Sequence, residues 1–103
     1  MPSELSKAVA ARLNEIVDEE TKRKLGELNV MTEVTEMATG SIRVRFQPLS
    51  AYSPIAVDTG RGIRNATLSV PGVLTVRVEC SGHMMDELVN RLVNEEEPAP
   101  KAK

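Results

Sequence analysis

The sequence predicts a two-layer α+β sandwich, in which helices cover one face of a small mixed sheet. Three observations indicate this fold class. Apolar residues recur at helical spacing in three segments, whereas three other segments alternate or run apolar as strands do. Glycine and proline mark turns between the segments. The expected order is therefore helix, strand, strand, helix, strand, helix, because the apolar face of a sheet needs helices to cover it.

The first helix is predicted to end near Val17. Apolar residues recur at every third or fourth position from Leu5 onwards, and Ser3 is suited to cap the first N–H groups. Residues 18–29 are highly charged, with two leucines as anchors and Gly26 as a break. The predicted order therefore contains no second helix before the first strand.

Two alternating segments, 30–34 and 42–46, are predicted to be half-buried strands. The Thr39-Gly40 pair between them is a turn signal, so the two strands should form a hairpin. The open face of that hairpin is expected to be polar. On it, the two arginines of the second strand should lie beside a residue of the first: Arg43 and Arg45 with Glu33 or Thr35.

The middle helix is predicted over residues 54–69. Ser53 is suited to be its N-cap, and Pro54 to take the first helical position, where no N–H is needed. Gly60 and Gly62 each weaken a helix interior by about 1 kcal/mol relative to alanine. We therefore expect them to permit close packing or a local irregularity.

The last strand and the last helix are predicted on either side of Gly82. Residues 73–80 follow a Pro71-Gly72 turn and are the most convincing strand of the chain. The helix after Gly82 has apolar residues at the spacing of one buried face. These residues are Met85, Leu88, Val89, Leu92 and Val93.

Length and composition exclude several classes of function. The chain has 103 residues, of which we assign 1–94 to a single domain and the charged, proline-containing residues 95–103 to a disordered tail. The net charge is −2 and aromatic residues make up 2%, so no nucleic-acid surface is expected. No apolar run is long enough to span a membrane. The residues from Met1 onwards lack the charged and apolar regions of a signal peptide, so none is expected. With its single cysteine, the protein is expected to be cytoplasmic.

Five short motifs follow one another along about residues 3–94. They are Asp18-Glu19-Glu20, Leu25…Leu28-Asn29-Val30, Ser53-Pro54, Pro71-Gly72-Val73 and Gly82-His83-Met84-Met85. In this order they resemble the iron–sulfur cluster assembly domain family, of PaaD-like proteins and cytosolic iron–sulfur targeting factors. The resemblance implies an accessory role in iron–sulfur protein maturation, with iron–sulfur assembly components as protein partners.

The chain departs from that family at two places. The family has a cysteine where this chain has Ser53, and aspartate-proline-glutamate where it has Asp18-Glu19-Glu20. Thiolates are the ligands that iron–sulfur clusters need, and a hydroxyl is a far poorer one. An iron–sulfur cluster is thus implied by the resemblance alone, and we expect no cofactor in the isolated monomer.

The residues predicted to form a partner or ligand surface are Asp18, Glu20, Tyr52, Ser53 and His83. Simpler roles stay open beside this one: Ser53 as a helix cap, and the two acids as a solvated charge run. Cys80 and His83 are candidate metal ligands, but a structural zinc site needs about four, so Cys80 is expected to be a small buried residue at a strand end. A catalytic triad of Ser53, His83 and an acid also stays open.

These observations lead us to expect a non-catalytic accessory or adaptor protein that acts by binding proteins, not nucleic acid or membranes. The alternative is a scaffold or oligomerisation module without any cluster or metal role. A sheet of three strands has exposed edges, so a homodimer is a candidate assembly under either interpretation.

Overall fold

The computed structural model describes residues 3–18 and 21–94. Glu20, from the predicted surface, and the predicted tail at 95–103 lie outside the described residues. The elements are α1 (Glu4–Asn14), α2 (Leu25–Leu28), β1 (Met31–Ala38), β2 (Ser41–Phe46), α3 (Ala56–Leu68), β3 (Thr75–Cys80) and α4 (Asp86–Asn94). The predicted α+β class is confirmed, with a three-stranded mixed sheet and one helical turn, α2, added to the predicted order.

The sheet has the strand order β1-β2-β3. β1 and β2 are antiparallel, with Thr35 opposite Arg43 and Glu33 opposite Arg45, whereas β2 and β3 are parallel. Glu33 forms ion pairs with both arginines, and its carboxylate lies 3.3 Å from Arg43 and 3.4 Å from Arg45. A hydrogen bond from Thr35, together with these arginines, lowers the pKa of the Glu33 carboxyl. The predicted polar face of the hairpin is therefore confirmed.

The helices pack on the opposite face of the sheet, where the core lies. α1 contacts β1, while α3 and α4 contact β3 and each other. Phe46, the last residue of β2, is fully buried in this layer. The other large side chains with no more than 2% of their surface exposed are Val9, Leu13, Leu25, Ile42, Val44, Ile63, Thr67, Val78 and Val93.

The segment between α1 and β1 differs from the prediction. The Ser3 hydroxyl caps α1 as expected, accepting from the Ser6 amide at 3.0 Å, but α1 ends at Asn14 rather than near Val17. Gly26 does not break structure; it lies inside α2. A Cβ at this position would be 2.8 Å from the Cβ of Asn14, so the missing side chain lets α2 lie against the end of α1.

α3 begins at Ala56, two residues later than predicted, with Ile55 at the N-cap position and no side-chain cap. The prediction that Ser53 caps this helix from a first helical Pro54 was wrong. The Ser53 amide donates to the carbonyl of Ser50 at 3.1 Å, which closes a turn before the helix. Residues 50–53 thus form a turn, and the helix begins after it.

α4 begins at Asp86, so Met85 precedes the helix and is 52% exposed. The prediction that Met85 packs in the core was wrong. Val89 and Val93 are buried as predicted, and Val93 lies against Gly60 of α3. The close packing expected at Gly60 is thus confirmed. No helix of the described residues is long and apolar enough to cross a membrane.

Two asparagines of α4 cover the outer edge of β3. The side-chain oxygen of Asn94 accepts from the Val78 amide at 2.9 Å, and its nitrogen donates to the Val78 carbonyl. Asn90 makes the same pair of bonds to the backbone of Cys80. Side-chain amides thereby take the place of a fourth strand at this edge.

Candidate functional site

Two loops meet at one end of the sheet because β2 and β3 are parallel. Residues 47–55 follow β2 and residues 81–85 follow β3. The Ser81 amide donates to the Phe46 carbonyl at 3.0 Å, and the Met84 amide donates to the Ala51 carbonyl at 2.9 Å. We call residues 47–55 and 81–85 the paired loops.

Both ring nitrogens of His83 make hydrogen bonds, and one of them joins the paired loops. Nδ1 accepts from the Met85 amide at 3.1 Å, so Nε2 carries the proton and donates to the Ser53 carbonyl at 3.0 Å. The structure therefore brings Ser53 and His83 together through the Ser53 backbone. The hydroxyl is not the partner, as it would be in a nucleophile–base pair.

Asp18 is buried, with 6% of its surface exposed. One carboxylate oxygen accepts from the Thr21 amide at 2.9 Å and from the Thr21 hydroxyl at 3.1 Å, which fixes the turn that follows α1. The interpretation of Asp18 as part of a solvated charge run was wrong. Burial and these two hydrogen bonds hold the Asp18 side chain in a fixed position.

Asp18 and Ser53 line the same small cavity beside the start of α3. Its other walls are Val30, Pro48, Leu49 and Thr59. Thr59 and Asp18 also line a larger neighbouring cleft of about 450 Å³. Two of the predicted surface residues, which are far apart in the sequence, therefore lie at one place in the fold.

Large apolar side chains are exposed on the paired loops. Tyr52 is 73% exposed and Met84 is 67% exposed. The predicted surface did not include Met84, nor did it include Leu49 and Met85, which are 49% and 52% exposed. We call Leu49, Tyr52, Met84 and Met85 the apolar patch. Clustered apolar exposure of this kind marks interaction surfaces.

The described residues do not fit an iron–sulfur cluster within one chain. Cys80 is buried at the end of β3, as predicted. Its burial, and to a smaller extent the negative charge of nearby Asp86, raises the pKa of its thiol to about 11. Both ring nitrogens of His83 are engaged by the backbone. Among the described residues, no three His, Cys, Asp or Glu side chains form a group that could hold a metal ion. A cluster needs about four ligands, mostly thiolates.

Comparisons with known proteins agree with the fold. No family model and no curated protein matches the chain. Among solved structures, it is similar to a crystal structure of a domain of unknown function, DUF59, from Bacillus anthracis. The TM-score is 0.69 and the identity 17%, over 86% of this chain and 87% of that one. At this identity the likeness shows a shared fold.

The roles of Ser53 and His83 can be separated by two alanine variants. Ser53→Ala should change the free energy of unfolding by less than about 0.5 kcal/mol, because within the described chain the hydroxyl makes no hydrogen bond. His83→Ala removes one hydrogen bond between the paired loops and one within residues 81–85, and should cost about 1–3 kcal/mol. Urea unfolding of both variants measures the difference. A Ser53→Ala variant that is the less stable of the two would restore the capping interpretation.

Proposed function

We propose that this protein is a non-catalytic accessory or adaptor that binds other proteins during the maturation of iron–sulfur proteins. Two observations support the proposal. The fold is similar to a DUF59 domain, and DUF59 domains belong to the PaaD-like iron–sulfur assembly family. The ordered sequence motifs from Asp18 to Met85 resemble the same family.

The apolar patch is the observation that carries the binding role. Its four exposed side chains come from two loops that hydrogen bonds tie together at one end of the sheet. Methionine side chains are flexible and polarizable and adapt to varied partners. Tyrosine supplies a large contact area at low cost in conformational entropy. Such a surface suits a protein partner better than a small polar substrate.

The proposal includes no chemistry at the site and no cluster in the monomer. Ser53 stands where the family has a cysteine, and His83 is bound to the Ser53 backbone rather than poised beside its hydroxyl. The partners would be iron–sulfur assembly components in the cytoplasm. This chain would contribute by binding those proteins, and its own side chains would not carry or transfer a metal ion.

Quantitative affinity capture tests the proposal. Tagged wild-type protein, Met84→Glu and Met37→Glu are compared in extracts of the native host. Met37 is a matched control, since it is a methionine 57% exposed on β1, away from the paired loops. We expect iron–sulfur assembly proteins to be captured by the wild type and Met37→Glu, and to fall about tenfold or more with Met84→Glu, as a charge enters an apolar interface.

Two results would contradict this proposal. Equal capture by all three proteins would remove the apolar patch as the binding surface. Capture without any iron–sulfur assembly protein would remove the maturation role. Sedimentation of the purified wild type and Met84→Glu distinguishes the adaptor from the alternative, a scaffold or oligomerisation module. Such a module would self-associate through the apolar patch, so the wild type would be an oligomer and Met84→Glu would dissociate.

A further inference from the structure

Two adjacent methionines, Met84 and Met85, carry the sulfur atoms of the apolar patch. Both side chains are more than half exposed. Their backbone is fixed within the paired loops, because the Met84 amide donates to the Ala51 carbonyl at 2.9 Å and the Met85 amide donates to Nδ1 of His83 at 3.1 Å. The two thioethers therefore lie on an ordered part of the surface that dissolved oxidants can reach.

The other sulfur atoms of the described chain are placed differently. Cys80 is buried, and its burial raises the pKa of its thiol to about 11. Oxidants attack the thiolate, so Cys80 competes poorly for them at neutral pH. Met31 packs against the core. Met37 is the only other methionine of the described residues that is more than half exposed, and it lies on β1, away from the paired loops.

We propose that Met84 and Met85 are an oxidation site through which hydrogen peroxide weakens partner binding at the apolar patch. The inference rests on the proposed binding function, since the modification acts on that surface. Each thioether sulfur takes one oxygen atom from a peroxide molecule. An S–O bond forms, the O–O bond breaks, the sulfur loses two electrons, and the peroxide is reduced to water. The product is a polar sulfoxide, which an apolar partner surface would have to strip of its water.

Peptide mapping by mass spectrometry tests the site on the purified protein, without any partner. During peroxide treatment, sulfoxide should form at Met84 and Met85 about fivefold faster than at Met31, because oxidation follows exposure. Met37 should react as fast as the patch methionines, and Cys80 should stay reduced. Oxidation of Met31 or Cys80 as fast as Met84 would overturn the assignment of the site.

Affinity capture of iron–sulfur assembly proteins tests the effect on binding. The tagged protein is oxidised, freed of peroxide with catalase and added to host extract, and its capture is expressed relative to the same protein untreated. Capture by the wild type and by the control Met37→Leu should fall about fivefold or more. The double variant Met84→Leu, Met85→Leu should keep its own untreated level, because leucine is apolar and has no sulfur to oxidise.

Reduction of the oxidised wild type is a second readout that needs no variant. Methionine sulfoxide reductases with a dithiol should restore capture, as the oxygen leaves in water and the dithiol becomes a disulfide. The proposal is overturned by unchanged capture after oxidation, by an equal fall in the double variant, or by no recovery on reduction. If the untreated wild type captures no iron–sulfur assembly protein, the adaptor role fails instead, and peptide mapping still decides the oxidation site.

Discussion

Replacing both Asn90 and Asn94 by alanine should destabilise the protein by about 2–6 kcal/mol, because four hydrogen bonds to the backbone of β3 are lost, each with a net contribution of about 0.5–1.5 kcal/mol. The two side chains satisfy the amide and carbonyl of Val78 and of Cys80, both of which are buried residues. Alanine retains helix propensity, so the loss reports the hydrogen bonds and not the helix. Urea unfolding measures it.

A second effect should accompany the loss of stability. The uncovered edge of β3 becomes a template for another strand, so the double variant should self-associate in sedimentation at protein concentrations where the wild type does not change. Asn65→Ala is the control, because Asn65 is an exposed asparagine of α3. A double variant as stable as Asn65→Ala would show that water replaces the asparagines at no cost.

The covering of the β3 edge by α4 could not be predicted from the sequence. A three-stranded sheet predicts two exposed edges, and the spacing of Asn90 and Asn94 by four residues indicates only one polar helix face. The packing angle of α4 on β3 decides that this face meets the strand edge. That angle depends on Val89 and Val93 fitting against α3, which is a tertiary property.

Periodicity predicted the fold well where one side of an element is buried. The hairpin, its polar face and the Thr39-Gly40 turn follow from alternation in β1 and β2. The prediction failed at the start of α3, where Ser53 and Pro54 form an ideal local start signal. The Ser53 backbone instead bonds to Ser50 and to His83, and no local pattern contains a contact from 30 residues away.

The candidate site was predicted in part for a similar reason. Tyr52, Ser53 and His83 were selected from motifs, and the paired loops bring them together. Met85 was assigned to the core because it has the helical spacing of Leu88 and Val89. The helix starts one residue after Met85, so the spacing no longer applies. Leu49 carries no motif, and its exposure depends on the loop conformation.

Gly60→Ala and Gly62→Ala should change stability in opposite directions, although both glycines lie inside α3. A Cβ at Gly60 would lie 2.6 Å from Cγ2 of Val93 and 3.3 Å from Cε1 of Phe46, which are both buried. Overpacking of this kind costs about 1–3 kcal/mol. A Cβ at Gly62 meets nothing within 4 Å, so that variant should gain about 0.4–1 kcal/mol, from a less flexible unfolded chain.

Chemical denaturation of the two variants and the wild type measures this pair of changes, and each variant is the control for the other. The helix propensity gained is the same at both positions, so their difference isolates the contact between α3 and α4. Gly60→Val should lower stability further, because a branched side chain enlarges the clash. If Gly60→Ala were as stable as Gly62→Ala, Val93 would have room to move. α4 would then not be held by close packing at Gly60, and its asparagines would not be fixed against β3 by that contact.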